Sequence, residues 1–129
     1  MARVRVMYWK EIPVQVQAQD ERGQVSVPLD ARFQQAADSI AMCDGSAGGE
    51  AYLAAWEWGP FIEAPGSAAN AATMVVEKYN TRFPKEVVAI VTDLQWTGRR
   101  DPRPGALDHL MGQDLALEER ARRSLKQPL

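Results

Sequence analysis

The sequence predicts an α+β domain: a mostly antiparallel sheet of four or five strands with two amphipathic helices on one face, in the order β-β-α-β-α-β, followed by a C-terminal helical extension. Three observations predict it. Residues 3–19 hold two runs in which apolar and polar residues alternate, the two-residue period of strands. Two later segments space their apolar residues as helices do, Phe33, Ala36, Ala37, Ile40 and Ala41 in the first and Ala68, Ala72, Val75, Val76, Tyr79 and Phe83 in the second, giving each a single stripe for a sheet to cover. Proline and glycine clusters separate these runs and mark the turns between elements.

Taken in order, the first strand places Val4, Val6 and Tyr8 on one face and Arg5, Met7 and Trp9 on the other. Lys10 to Pro13 interrupts it, because proline removes a ladder donor and biases its predecessor to extended geometry. Val14 to Gln19 alternates again with one wet face of glutamines, as expected of a strand at or near a sheet edge that a second copy of the chain can extend. The turn Asp20-Glu21-Arg22-Gly23 leads to a short returning strand over Gln24 to Val27. Asp30 then opens the first helix, and the glycines after Asp44 end it. Gly48 and Gly49 lack the lysine and spacing of a phosphate-binding loop and are expected to be a plain connection.

The richest stretch is Ala51 to Gly66, with Trp56 and Trp58 sharing a strand face with Ala54 until Gly59-Pro60 breaks the pattern and Phe61 to Ala64 resumes it. A Gly-Pro break inside a strand run points to a bulge or an edge. Ser67 is an N-cap for the second helix, which Pro84 stops. Val87 to Val91 suits a buried strand, with helix as the alternative because Pro84 can also sit at a helix start. The breaker-rich run Thr97 to Gly105 is expected to be a linker between a domain over 1–96 and a helical tail over 106–129, where Leu110, Leu117, Ala121 and Leu125 recur at compatible spacing.

Composition narrows the chemistry. With 129 residues and 46% hydrophobic content, one domain of this size buries roughly two-thirds of its unfolded surface without a metal or disulfide. One cysteine is ordinary usage for a reducing compartment, and the N-terminal residues lack a signal peptide's apolar run, so a cytoplasmic protein is expected. The longest apolar runs fall short of a membrane span. Met1 to Trp96 carries 8 basic and 12 acidic residues, and the remainder 7 and 5; an acidic body repels phosphate backbones, so no nucleic-acid partner is expected. A single histidine and a single cysteine argue against a metal site, and no cofactor is expected. Neighbouring Asp108 and His109 would point about 100° apart on a helix and lack a nucleophile motif. Cys43 is expected to be a small buried hydrophobe, and Glu11, Glu57 and Glu63 a solvated strand face.

The aromatic set Tyr8, Trp9, Trp56, Trp58 and Phe61 has three readings. As core, the rings anchor the sheet against its helices. As a partner surface, Trp9 lies opposite Val4, Val6 and Tyr8 and needs a cover from another chain or from the C-terminal segment. As a base-stacking platform they want interleaved cations, which the glutamate-rich Trp56 run lacks.

The cluster Tyr8-Trp9-Lys10-Glu11-Ile12-Pro13, the Arg22-Gly23 turn before Val25 and Pro28-Leu29, Arg32-Phe33, and Trp56-Glu57-Trp58-Gly59 ahead of Gly66-Ser67 resemble the small bacterial virulence factor domain family, also found in conserved virulence factor C proteins. The resemblance covers residues 1–84. It implies no assigned catalytic residue, and in relatives joined to a NifU-like segment and helical repeats it implies an accessory role near cofactor proteins. The expected function is that of a non-enzymatic accessory protein acting through protein contact or self-association, with Trp9, Lys10, Glu11, Trp56, Trp58 and Phe61 as its candidate surface. The alternative is a small-molecule binder or small enzyme using Glu11, Glu57 or Tyr8, whose mark is a pocket of about 300 Å³ or more beside the Trp56–Phe61 stretch, lined by Trp9, Trp56 or Trp58 with converging polar groups.

Overall fold

The computed structural model of the chain describes residues 1–112. A meander of β1 (Ala2–Trp9), β2 (Ile12–Asp20) and β3 (Gly23–Pro28) is followed by α1 (Ala31–Asp44) and a short α2 (Gly49–Ala54). The chain then returns to the sheet as β4 (Trp56–Trp58) and β5 (Ile62–Ala64), and continues through α3 (Ala68–Arg82), α4 (Val87–Trp96) and a 3₁₀ turn over Asp108–Met111. All strand pairs are antiparallel, in the order β3-β2-β1-β4, with β5 also paired to β1. The architecture is α+β, as the two periodicities predict.

Register explains the core. Val4 lies opposite Ala18 and Val6 opposite Val16, while Val16 and Ala18 face Val27 and Val25 on the third strand. With Tyr8 these residues form one apolar face, and α3 lies across it through Ala68, Ala71, Ala72 and Tyr79. Ser67 caps that helix as its residue type predicts, its Oγ accepting from Asn70 N at 3.2 Å, and the Ala68 N–H donates to Asp20 Oδ2 at 2.8 Å. The helix is thereby fastened to the β2–β3 turn. Its far end is closed by Arg32 of α1, which donates to the carbonyls of Asn80, Phe83 and Pro84, groups that a helix C-terminus leaves without partners. Phe33 packs against Phe83 with centroids 5.4 Å apart.

Several elements differ from the sequence expectation. β2 is an interior strand, because β3 pairs along its other side; a wet face alone does not make an edge. Residues Gly49–Ala54 form a helix instead of the start of a strand run, since Ala51, Leu53 and Ala54 are strong helix formers and Gly48 and Gly49, both at φ 74°, turn the chain into it. Val87 to Val91 takes its helical alternative, burying Val87 and Val91 one turn apart, so the last strand of the expected order is α4. Cys43 is exposed, one position off the buried stripe of α1. Asp108–Met111 is a single 3₁₀ turn that ends where Gly112 takes φ 77°, and the rest of the expected tail helix lies outside the described residues.

Trp9 is covered by the chain itself. Its side chain has 0% exposure, its ring lies 5.6 Å from that of Tyr52 in α2, and its indole N–H donates to the Tyr52 carbonyl at 3.0 Å. No second chain is needed to dry it. Trp9→Ala opens a cavity at a site walled by α2 and the β1–β2 hairpin, and should lower unfolding free energy by about 3–5 kcal/mol. Urea denaturation of the two proteins measures this, with Trp9→Phe falling between them.

Candidate functional site

Two clusters of polar side chains meet the sheet at β1, and both draw on residues between 97 and 112. The first sits at the β1–β2 turn. Trp9 pairs with Ile12, so Lys10 and Glu11 form a two-residue turn, with Lys10 at φ 52°, a conformation that costs a non-glycine residue roughly 1–3 kcal/mol. Its bonds offset that cost: Lys10 N donates to Ala55 O at 3.1 Å and Lys10 Nζ pairs with Asp44 Oδ2 at 2.7 Å. Glu11 is 1% exposed and is gripped by both arms of Arg100, with Nε to Oε2 at 2.7 Å and Nη2 to Oε1 at 2.8 Å. Arg100 Nη1 reaches Asp44 Oδ2 at 2.9 Å and Gln95 Oε1 at 2.6 Å.

This cluster balances two cations against two carboxylates. Burial opposes the charge on Asp44, but hydrogen bonds from Lys10, Ser46 and Arg100 outweigh it and hold the carboxyl well below its usual 3.8. The bond to Glu11, ahead of the opposing burial, raises the Arg100 guanidinium above its ordinary value. With every charge paired, the cluster acts as a clasp joining the hairpin, the end of α1 and the segment after α4.

The second cluster lies at the other side of β1. Tyr8 Oη donates to Asp108 Oδ2 at 2.6 Å, Tyr79 Oη donates to the same oxygen at 2.7 Å, and the two phenol oxygens are 3.1 Å apart. Asp108 Oδ1 is buried and has no hydrogen-bond partner among the described residues. Burial, and then the Asp108 charge, lift the Tyr8 phenol well above its ordinary 10.0; burial, and then Tyr8 and Asp108, do the same to Tyr79. Beside these oxygens opens a recess of about 500 Å³. Its walls are Val4 and Val6 of β1, Gly59-Pro60 and Ile62 to Ala64 along the sheet edge, Val75 and Lys78 of α3, and Pro104-Gly105.

The Gly-Pro break makes room for it. β4 and β5 lie end to end against β1, pairing with Met7 to Trp9 and with Ala2 to Val4, and Gly59-Pro60 spans the gap between them. Gly59 N donates to Val6 O at 2.8 Å, and a Cβ at Gly59 would meet Tyr8 Cε1 at 3.0 Å. Only glycine lets the edge approach the Tyr8 ring so closely.

The residues singled out from the sequence are dispersed. Trp9 and Glu11 are buried and Lys10 is half-buried in the clasp, while Glu57 and Glu63 are exposed. Trp56 packs edge-on to Tyr52 at 6.1 Å. Trp58 and Phe61 lie on the sheet face away from α3, where the Arg5 guanidinium sits 4.0 Å and 4.5 Å from their centroids and that of Arg3 4.6 Å from Phe61. Cations do interleave with these rings, drawn from β1 across the register and not from the Trp56 run. Of the expected pocket residues, Tyr8 lines the recess. In the sequence Tyr79 is one position of an apolar stripe and Asp108 the neighbour of His109; only their convergence on Tyr8 makes them a site. Among the described residues no group of histidine, cysteine and carboxylate side chains could hold a metal, and no helix is long and apolar enough to cross a membrane.

Two outcomes follow from these clusters. Arg100→Ala strands a buried carboxylate, and should destabilise the chain by about 3–5 kcal/mol in chemical denaturation, with Arg100→Lys recovering part because it lacks the fork. Above about pH 10 the unfolded chain releases phenol protons that folded Tyr8 and Tyr79 still hold, so stability falls as pH rises past 10.0. Melting temperatures followed from pH 8 to 11 should show that decline, and Tyr79→Phe should flatten it.

Comparison with known proteins gives one match. The model of the family described as virulence factor matches residues 7–91, from the middle of β1 into α4, leaving Arg100 and Asp108 beyond the matched residues. No curated protein and no solved structure matches the chain. Matched over more than half of its length, the chain belongs to the virulence factor family.

Proposed function

We propose that this member of the virulence factor family is a small-molecule-binding domain, and that its ligand occupies the recess between α3, the Gly59–Ala64 edge and the Pro104–Asp108 segment. One observation carries the proposal: a recess of about 500 Å³ with largely aliphatic walls, beside which two phenol oxygens converge on a carboxylate whose second oxygen is buried without a partner among the described residues. Ligand sites combine this size range with apolar walls and few polar groups. The recess adjoins the Trp56–Phe61 stretch, but the tryptophans do not line it; the backbone break between them does.

Action through protein contact alone rests in part on Trp9 as an uncovered ring, and α2 covers that ring. The domain is proposed to bind without turnover, since phenols held in the protonated form are poor bases. The exposed lone thiol of Cys43 favours a reducing compartment, and we place the domain in the cytoplasm.

Amide and methyl NMR spectra of the full chain, titrated with a library of aromatic and aliphatic fragments, test the proposal. Hits should shift Val4, Gly59, Ile62 and Val75 together. Val75→Phe, which fills the recess from α3 without touching its polar groups, should weaken those hits by about tenfold or more while leaving the melting temperature within a few degrees. A library that moves none of these resonances overturns the proposal.

A further inference from the structure

The ligand class follows from counting protons at the recess floor, and this inference rests on the binding function just proposed. Tyr8 and Tyr79 each carry one hydroxyl proton, and both hydroxyls lie within donating distance of the same carboxylate oxygen, at 2.6 Å and 2.7 Å. Both protons are spent inside the triad, on Asp108 Oδ2 or across the 3.1 Å bond between the two phenol oxygens, in which either hydroxyl can donate. Asp108 Oδ1 is itself buried, with no partner among the described residues, and is not offered to the recess. The floor of the recess therefore presents phenol oxygens that can accept, beside a carboxylate, and no free proton to give.

We infer that the recess takes a cationic amine: a ligand whose ammonium or guanidinium group docks at Tyr8, Tyr79 and Asp108 and whose apolar body lies along Val6, Pro60, Ile62 and Val75. An ammonium brings three N–H donors and a charge to a floor that offers acceptors and a carboxylate. An alcohol brings one donor and no charge. A carboxylate or phosphate ligand meets lone pairs and is repelled. Arg5 and Lys78 also line the recess, but the Arg5 guanidinium is engaged over the Trp58 and Phe61 rings, and Lys78 borders a separate depression of α3 together with Glu77 and Thr81, which places it at the rim. Its charge opposes an incoming cation, and Glu63 across the rim is exposed and opposes an anion.

Three probes of similar shape separate the possibilities: 2-phenylethylamine, 2-phenylethanol and phenylacetate, each titrated into the full wild-type chain and followed by the same NMR resonances. The amine should bind at least about tenfold more tightly than the alcohol, and phenylacetate should bind most weakly. Lys78→Met should tighten amine binding, whereas a site for anions would weaken toward phenylacetate on that change. Asp108→Asn should bring the amine to within about threefold of the alcohol, and a circular dichroism spectrum confirms that this variant is folded; the wild-type comparison decides the question without it. Alcohol or phenylacetate binding as tightly as the amine overturns the assignment of the head group and leaves the ligand pocket standing. No response at Gly59, Ile62 or Val75 to any probe or library fragment overturns both.

Discussion

The pairing of Glu11 with Arg100 is the constraint on which the arrangement depends. A carboxylate at 1% exposure is tolerated only with its charge and lone pairs satisfied, and the partner arrives from 89 positions along the chain. Satisfying Glu11 therefore fixes where the chain goes after α4. Once Arg100 is held against the hairpin, the residues from Pro104 to Asp108 run back along the sheet to reach Tyr8, 100 positions from Asp108. The clasp where β1 ends thus sets the wall of the recess that opens beside the strand's Tyr8 face. Neither cluster involves the half-buried aromatics on the far face, which are occupied by Arg3 and Arg5.

Much of this fold is written in local pattern. Alternation in Val4, Val6 and Tyr8, the apolar stripe through Phe33 and Ile40, and the cap at Ser67 each report a short-range preference that tertiary packing keeps. The pattern misleads where two elements share a composition. Ala54, Trp56 and Trp58 alternate, yet Ala54 ends a helix and only the tryptophans enter the sheet; Val87 to Val91 looks like a strand by residue type and becomes a helix because α1 offers a surface that matches a one-turn repeat. The site is less legible still. Tyr8 could be suspected from its strand, but Tyr79 reads as one more apolar position of α3 and Asp108 as a helix start. Their meeting is a long-range event, and one sequence carries no signal for it beyond the Gly59-Pro60 break that clears the space.

The same reasoning separates what holds the molecule together from what it offers to a ligand. In the clasp, cations and carboxylates cancel in charge and use one another's hydrogen bonds, so the open depression beside Lys10, Asp44 and Arg100 has little left to give. At Tyr8, Tyr79 and Asp108 the donors are spent among the three side chains and acceptors remain. Unequal satisfaction marks the second cluster as the place where something else binds, since a buried polar atom without a partner is costly to leave. Membership of the virulence factor family describes the sheet and its first helices, residues 7–91; both Arg100 and Asp108 come from the part of the chain that follows.

The end-to-end placement of β4 and β5 has a consequence for how the sheet faces its neighbours. A long unpaired strand is a template onto which another chain can add, and proteins blunt such borders with short strands, charges and prolines. Here one border is split into two three-residue pieces by Gly59-Pro60, and the other is β3, which ends at Pro28. A misfolded neighbour finds no continuous ladder to extend along the first, and meets a residue without an N–H at the end of the second. The break that makes space for a ligand also interrupts the border along which aggregation would spread.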